Sequence, residues 1–174
     1  MDTPLTPLLF FTLILSLILT TTGCVQTVHP PTGDDFTFTT INGETKHLSD
    51  YRSQPVLLDF MGVACQPCQQ EMFILHQLHQ NYTTLTIISI DVWTTQGETT
   101  QDVHQLQDAF HTQYNITLDW TFAVDDASGT LGRTYAPDGV PHLYLYTKQG
   151  NLYYNHLGYE PYSTLVLQVD AIIN

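Results

Sequence analysis

Two cysteines spaced three apart, Cys65 and Cys68, are the residues of this sequence best suited to chemistry. They follow an apolar run typical of a buried strand, and they precede a stretch with helical periodicity. The free N–H groups and the dipole at a helix N-terminus stabilise a thiolate, so we assign Cys65 as the nucleophile. Cys68, one turn later, is close enough to resolve a mixed disulfide formed on Cys65. The pair therefore predicts dithiol–disulfide exchange.

Two other uses of such a pair fit the sequence less well. Zinc requires about four ligands, and His76 and His79 follow Cys68 by two to three helical turns, too far to share its ion. A purely structural disulfide across so short a loop would constrain the unfolded chain little. We therefore expect no metal and no cofactor other than a redox-active disulfide between the two cysteines.

The periodicity around this motif predicts an α/β domain. An alternating segment at 36–41 meets Asn42-Gly43, which is a strong hairpin signal. Further strands are predicted at 56–61, 84–92, 122–124, 142–147 and 152–156, and helices at 66–82, 99–114, 130–135 and 162–173. This order predicts a mixed central sheet with helices on both faces.

The N-terminal residues predict export and membrane attachment. An uncharged apolar run at 8–19 has the length of a signal-peptide core. It ends at Gly23-Cys24, which resembles a lipobox, although Thr21 stands where leucine is usual and no Lys or Arg precedes the run. We expect a signal peptide or membrane anchor at 1–23, a lipid-modified Cys24 with a tether at 24–35, and one domain at 36–174. An uncleaved anchor and plain secretion remain open alternatives.

The charge balance excludes some partners. Four Lys and Arg residues face 17 Asp and Glu residues, for a formal net charge of −13. Such a chain cannot neutralise a row of nucleic-acid phosphates, and it is not attracted electrostatically to anionic lipid. An acidic surface suits a soluble extracytoplasmic domain or partners that carry basic patches.

Residues 56–72, which contain the cysteine pair, resemble the active-site stretch of TlpA/ResA-type thioredoxin-like proteins. Residues 36–51 are similar to the N-terminal hairpin and loop of that family, and Gly139-Val140-Pro141-His142 is similar to its cis-proline segment. Together these segments cover most of residues 36–173. The resemblance implies a thioredoxin-like fold with an N-terminal β-hairpin extension, and a membrane-anchored, extracytoplasmic thiol–disulfide oxidoreductase.

The resemblance also implies a substrate-binding surface. Pro141 would be cis and lie against the disulfide, leaving the Val140 backbone to pair with an extended substrate strand. Gln66 and Pro67, between the cysteines, would contact the substrate. The expected partners are oxidised extracytoplasmic proteins such as apocytochrome c and an upstream membrane thiol–disulfide electron donor, with the protein itself a monomer.

Two acids are expected to serve the cysteines. Asp59, six residues before Cys65, stands in an apolar strand, where burial should raise its pKa and suit it to take the proton of Cys68. Glu71 matches the acidic residue that tunes the cysteines in ResA-like proteins. A solvated residue in the first helical turn is an equally good interpretation of Glu71.

Departures from the family pattern affect the expected substrate specificity and the expected direction of electron transfer. Met61 and Ala64 stand where tryptophan is usual, so we expect a less bulky surface near Cys65. The neutral pair Gln66-Pro67 adds no charge that would stabilise a thiolate. With acids nearby, this predicts a reducing potential and a reductase, not an oxidase.

Two rival functions share part of this pattern. A peroxiredoxin normally carries threonine three residues before its peroxidatic cysteine, and that position here is Gly62. A thioredoxin-fold copper chaperone would need a histidine near the cysteines, and His142, beside Pro141, is the candidate.

Overall fold

A computed structural model describes residues 35–173 of the chain. Seven strands are present there: β1 (Thr37–Thr40), β2 (Thr45–His47), β3 (Val56–Met61), β4 (Thr86–Asp91), β5 (Thr121–Val124), β6 (His142–Tyr146) and β7 (Leu152–Leu157). The helices are α1 (Gln66–Asn81), α2 (Thr100–Tyr114), α3 (Thr130–Tyr135) and α4 (Tyr162–Ile173). No helix within residues 35–173 is long and apolar enough to cross a membrane. The predicted leader at 1–23, Cys24 and the tether up to residue 34 lie outside the described residues.

The seven strands form one mixed sheet in the order β2-β1-β5-β4-β3-β6-β7. Strands β3, β4 and β5 run parallel, whereas β6 is antiparallel to β3 and β7 is antiparallel to β6. The carboxyl ends of β3 and β4 therefore lie at the same edge of the sheet as the start of β6 and the end of β7. This edge is where an α/β sheet normally places its functional residues.

Alternation along β3 separates the two faces of the sheet. Leu57 and Met61 belong to one cluster of the core, and Leu58 and Phe60 belong to the other. Asp59 shares the face of Leu57 and Met61, and it is fully buried.

Helices cover both faces, which confirms the predicted fold class. The buried stripes of α1, α2 and α4 pack on the Leu57 face, with Met72, Leu75, Leu78, Val103, Leu106, Phe110, Leu165 and Val169 in the core. On the Phe60 face, α3 contributes Leu131 and a short 3-10 turn contributes Leu48. Tyr114, predicted on the apolar stripe of α2, is instead more than half exposed at the end of the helix, where its ring lies beside those of Phe73 and Phe110.

The N-terminal hairpin is present as expected from the sequence. β1 pairs with β2, and Gly43 adopts a φ of +81° in the turn, a conformation that favours glycine. The other edge of β1 pairs with β5, so the hairpin extends the central sheet.

Candidate active site

The cysteine pair lies where the sequence predicts it, at the N-terminus of α1. Cys65 is the N-cap residue, Pro67 lies in the first turn, and the backbone N–H of Cys68 donates to Cys65 Sγ at 3.2 Å. The two sulfurs are joined in a disulfide. At the helix N-terminus the backbone N–H of Cys68 is thus directed at the Cys65 sulfur, an arrangement that stabilises a thiolate there.

Exposure distinguishes the two cysteines. Cys65 is 5% exposed, whereas Cys68 is fully buried beneath it, and Gln66 and Pro67 between them are exposed. A partner can therefore approach the sulfur of Cys65 and not that of Cys68. This geometry agrees with Cys65 as nucleophile and Cys68 as resolving cysteine.

The loop before β6 faces the disulfide. The Val140–Pro141 peptide bond is cis, as the resemblance implied, and Pro141 is buried. The carbonyl oxygen of Val140 lies 3.8 Å from Cys65 Sγ, a contact and not a hydrogen bond, because a disulfide sulfur carries no proton. Val140 is half-buried, so this loop forms one wall beside the more accessible sulfur.

Asp59 ends a chain of buried hydrogen bonds. Trp120 Nε1 donates to Ser89 Oγ at 3.0 Å, and Ser89 Oγ donates to Asp59 Oδ2 at 2.9 Å. The other carboxyl oxygen of Asp59 has no hydrogen-bond partner among the described residues. Burial raises the pKa of Asp59 to about 7, and the Ser89 hydrogen bond opposes that shift. The raised pKa predicted from the sequence is confirmed.

Glu71 is buried as well, which decides between the two interpretations of this residue. It is fully inaccessible, and its Oε2 accepts from the backbone N–H of Glu160 at 3.0 Å. Burial raises the pKa of Glu71 to about 8, against that hydrogen bond and with added repulsion from the carboxyls of Asp59 and Glu160. Since residues three apart share a helix face, Glu71 lies on the side of α1 that carries Cys68.

A glutamate that the sequence analysis did not single out holds the loop before Cys65. Glu98 accepts from the backbone N–H of Val63 at 2.6 Å and from that of Ala64 at 2.8 Å. Nearby, Asp91 accepts from the N–H of Trp93, and burial first and then Glu98 raise the pKa of Asp91 to about 7. Glu98 is 35 residues from Val63 along the chain, and nothing local in its sequence indicates this contact.

An aromatic ring lies beside the active-site loop even though Met61 and Ala64 replace the usual tryptophans. Trp93, which follows β4, packs against Gly62 so closely that a Cβ atom at Gly62 would overlap its ring. Trp93 thus adds an aromatic ring beside the loop, whereas Met61 is fully buried. The expectation of a less bulky surface near Cys65 stays a prediction. The ring comes from a different element, which the local sequence could not reveal.

The two rival functions gain no support from the geometry. Gly62 has no room for the threonine of a peroxiredoxin, because Trp93 occupies that space. His142 pairs with Phe60 across the sheet, so its side chain lies on the face opposite Asp59. Among residues 35–173, no group of three or more His, Cys, Asp or Glu side chains is placed to hold a metal ion.

A cleft of about 370 Å³ adjoins the cis-proline loop, lined by Trp93, Arg133, Pro137 and Gly139 among others. A larger cleft of about 490 Å³ lies near Thr86, at the start of β4 and hence at the opposite edge of the sheet. Its position beside Trp93 and the cis-proline loop, and not its size, marks the smaller cleft as the one relevant to the site.

Comparison with known proteins agrees with this geometry. The family model described as the AhpC/TSA family matches residues 32–155. The chain is 29% identical over 123 residues to the thiol-disulfide oxidoreductase ResA of Geobacillus kaustophilus, covering 70% of this chain and 64% of that one. It is 25% identical over 125 residues to the thioredoxin-like protein YneN of Bacillus subtilis, and this match covers 71% of this chain and 68% of YneN. The chain thus spans somewhat less than two thirds of the length of ResA.

Solved structures show the same fold. A candidate thiol:disulfide interchange protein DsbE from Chlorobium tepidum superposes with a TM-score of 0.68 at 24% identity, covering 82% of this chain and 96% of that one. The resemblance to TlpA/ResA-type thioredoxin-like proteins is confirmed by these relatives. The catalytic and substrate-binding roles of individual residues remain predictions.

Proposed function

The chain belongs to the AhpC/TSA family, and we propose that within it the protein is a thiol–disulfide oxidoreductase that reduces disulfides of secreted or membrane proteins. One observation carries the proposal: the Cys65–Cys68 disulfide lies at the N-terminus of α1 with the cis-proline loop against Cys65, and Asp59 is buried on the face of the sheet that α1 covers. The names of the relatives support the same class of reaction.

The reaction starts from the reduced protein. The thiolate of Cys65 attacks one sulfur of the substrate disulfide, which yields a mixed disulfide on Cys65 and one substrate thiolate. Cys68 then gives its proton to a buried carboxylate, and its thiolate attacks the sulfur of Cys65. The Cys65–Cys68 disulfide forms and the second substrate thiolate leaves, so that two electrons pass from the protein to the substrate.

Substrate recognition would depend on the backbone more than on sequence. The Val140 backbone beside Cys65 is suited to pair with an extended substrate strand, and Gln66 and Pro67 offer exposed contact surface. The cleft between Trp93 and Gly139 has room for a neighbouring side chain of the substrate. An oxidised extracytoplasmic protein such as apocytochrome c is the substrate class we propose.

The direction of electron flow follows from the charges. No cationic residue lies between the cysteines, and the acids Asp59 and Glu71 lie on the side of Cys68. A buried site that holds no cation, and whose acids gain negative charge as they ionise, disfavours the thiolate, which makes the dithiol the better electron donor. A membrane thiol–disulfide carrier would return the protein to its reduced form.

We also propose that the domain is held on the outer face of the cytoplasmic membrane through Cys24. The supporting observation is the lipobox-like Gly23-Cys24 after an apolar run. The Cys24→Ala variant should then leave the membrane fraction, and retention of that variant with the membranes would favour an uncleaved anchor.

Trapping of mixed disulfides tests the proposed reaction. The Cys68→Ala variant retains the nucleophile and lacks the resolving thiol, so it should accumulate covalent adducts with disulfide-bonded proteins that a thiol reductant releases. The matched Cys65→Ala variant should form almost none, because Cys68 is buried. Equal trapping by both variants, or by neither, would refute the assignment of the two cysteines.

A further inference from the structure

The carboxyl group of Asp91, at the end of β4, is buried close to the loop that carries Cys65. Asp91 is 1% exposed, and its Oδ1 accepts from the backbone N–H of Trp93 at 2.9 Å. Its Oδ2 is inaccessible to solvent and has no hydrogen-bond donor among the described residues. A buried carboxylate oxygen without a donor is costly, so this oxygen requires a partner.

The group that can pair with Asp91 is a second carboxyl, that of Glu98. The two side chains are hydrogen-bonding neighbours, and Glu98 is half-buried. Two carboxylates both accept and cannot bond to each other, whereas a protonated carboxyl donates through its O–H. A single proton between Asp91 and Glu98 therefore supplies the missing partner and joins the two side chains.

The other contacts of the two acids place this proton on Asp91. Glu98 accepts at both of its oxygens, from the N–H of Val63 at 2.6 Å and from that of Ala64 at 2.8 Å, as a carboxylate does best. Asp91 accepts one N–H and is the more deeply buried. Burial raises the pKa of Asp91 to about 7, opposed by the Trp93 hydrogen bond and supported by Glu98. Asp91 is thus the donor and Glu98 the acceptor.

The charged groups that face this pair are themselves acidic. Asp102 of α2 adds repulsion to Asp91, Asp59 lies on the adjacent strand β3, and the titratable Cys65 caps α1. Within residues 35–173, neither Asp91 nor Glu98 forms an ion pair with a Lys, Arg or His side chain. A proton is therefore the positive charge that allows the two carboxyls to lie together.

We propose that Asp91 is a positioning residue for the nucleophile: its protonated carboxyl donates to Glu98 and keeps Glu98 on the two N–H groups that precede Cys65. The inference rests on the proposed function for the role of Cys65. When Asp91 loses its proton, two adjacent and poorly hydrated carboxylates repel each other, and Glu98 leaves the loop. The loop is therefore held below about pH 7 and released above it.

Release of the loop affects the first step of the reaction. Cys65 follows Ala64 directly, and its own N–H donates to the carbonyl oxygen of Gly62 in the same loop at 3.2 Å. A loop that moves places the sulfur less often against the substrate disulfide, and the charge gained by Asp91 disfavours the thiolate. Attack by Cys65 should therefore gain less from a rise in pH than thiolate formation alone would give.

NMR of the oxidised full-length protein tests the anchor without any substrate. The amide resonances of Val63 and Ala64 should shift with a midpoint near pH 7 in the wild type. Their protection from hydrogen exchange should fall at least about tenfold across that transition, because the charge-assisted hydrogen bonds are lost. Asp91→Asn keeps a donor for Glu98 and an acceptor for Trp93 but has no proton to lose, so it should show neither change.

The rate of the first coloured thiolate released from a chromogenic aromatic disulfide measures attack by Cys65 in the reduced protein. Asp91→Asn should match the wild type at about pH 6 and exceed it several-fold at about pH 9. Asp108→Asn, which removes an exposed carboxyl of α2, provides the control and should follow the wild type in both measurements.

The possible failures of the inference and of the proposed function are distinct. Wild-type amides without a transition near pH 7, or a transition that persists in Asp91→Asn, would overturn the role of Asp91 and leave the proposed function standing. Equal pH profiles of the rate in Asp91→Asn and the wild type would overturn the role of Asp91 in positioning Cys65. A wild type that shows the amide transition but releases no coloured thiolate would contradict the proposed function and leave the Asp91–Glu98 hydrogen bond standing.

Discussion

Three carboxyl groups, those of Asp59, Glu71 and Glu160, are buried on the side of the sheet that carries Cys68. Burial of an acid raises its pKa because the charged form loses its hydration, and the effect is largest where no cation compensates. The pKa of Asp59 is raised to about 7 and that of Glu71 to about 8. Such acids exchange protons near neutral pH, which is the property that the resolving cysteine needs.

Burial of Asp59 should make stability depend on pH. Its pKa is about 7 in the folded protein, against 3.8 for an ordinary aspartate, so the folded state retains a proton that the unfolded state loses. The stability from this group is therefore present in acid and lost as the pH rises from about 4 to 7. Asp59→Asn should raise the free energy of unfolding of the oxidised protein at pH 8 by roughly 2 to 4 kcal/mol.

Urea unfolding of the oxidised protein at pH 4 and pH 8 measures this effect. The exposed acid Asp108 on α2 supplies the control, since Asp108→Asn should change neither value. Asp59→Asn should raise the free energy of unfolding only at the higher pH, because Asn can still accept the hydrogen bond of Ser89. An equal gain at both pH values would show that the asparagine acts through packing and not through charge.

The sequence predicts these acids unequally. Asp59 is recognisable because it interrupts an apolar strand six residues before Cys65. Glu71 is indicated only by the family resemblance, and its burial is not, because a residue three after Cys68 can be solvated or buried depending on what packs over the helix. Its hydrogen bond to Glu160 spans 89 residues, and no local pattern in the sequence predicts such a contact.

The loop that carries Cys65 follows β3, and the segment that follows β4 packs against it. Gly62 allows the ring of Trp93 to lie against this loop, and Glu98 accepts from two successive N–H groups of it. A carboxylate that accepts from two N–H groups forms charge-assisted hydrogen bonds, each stronger than a neutral one. The loop is therefore held in place before a substrate binds.

Removal of Glu98 should release this loop. Glu98→Ala should speed hydrogen exchange of the Val63 and Ala64 amides by at least about tenfold, because charge-assisted hydrogen bonds are worth roughly 1.5 to 3 kcal/mol. Amide exchange followed by NMR measures each residue separately. Glu44→Ala removes an exposed glutamate paired with Lys46 and should leave both amides as in the wild type. Unchanged exchange in Glu98→Ala would show that the loop is rigid for another reason.

Most elements could be predicted, because their signals are local. Strand β3 and helices α3 and α4 have the predicted bounds, and the remaining predicted helices and strands differ at their ends by one or two residues. β2 was implied by the hairpin signal alone, since its three residues are too few to show alternation. The placement of Trp93 and Glu98 depends on how the segment between β4 and α2 packs against the loop after β3, which periodicity does not specify.

At the scale of the whole molecule, strand order brings the site together. β3 lies inside the sheet between β4 and β6, so Cys65, Trp93 and Pro141 come to one edge from three different strand ends. The fold class followed from the order of strands and helices, and the resemblance supplied the cis proline. The chain has a formal net charge of −13. This charge favours the binding of substrates with basic patches and disfavours the binding of nucleic acid.

The reduction potential of the Cys65–Cys68 couple tests the central claim most directly. Equilibration of the full-length protein with thiol–disulfide buffers of known potential, followed by alkylation of free thiols, gives the fraction oxidised. If the protein is a reductase, we expect a single two-electron transition at a potential in the reducing range, near the roughly −270 mV of thioredoxin. A potential close to the roughly −120 mV of a strong oxidase would contradict reduction as the function, and the absence of any transition would contradict dithiol exchange itself.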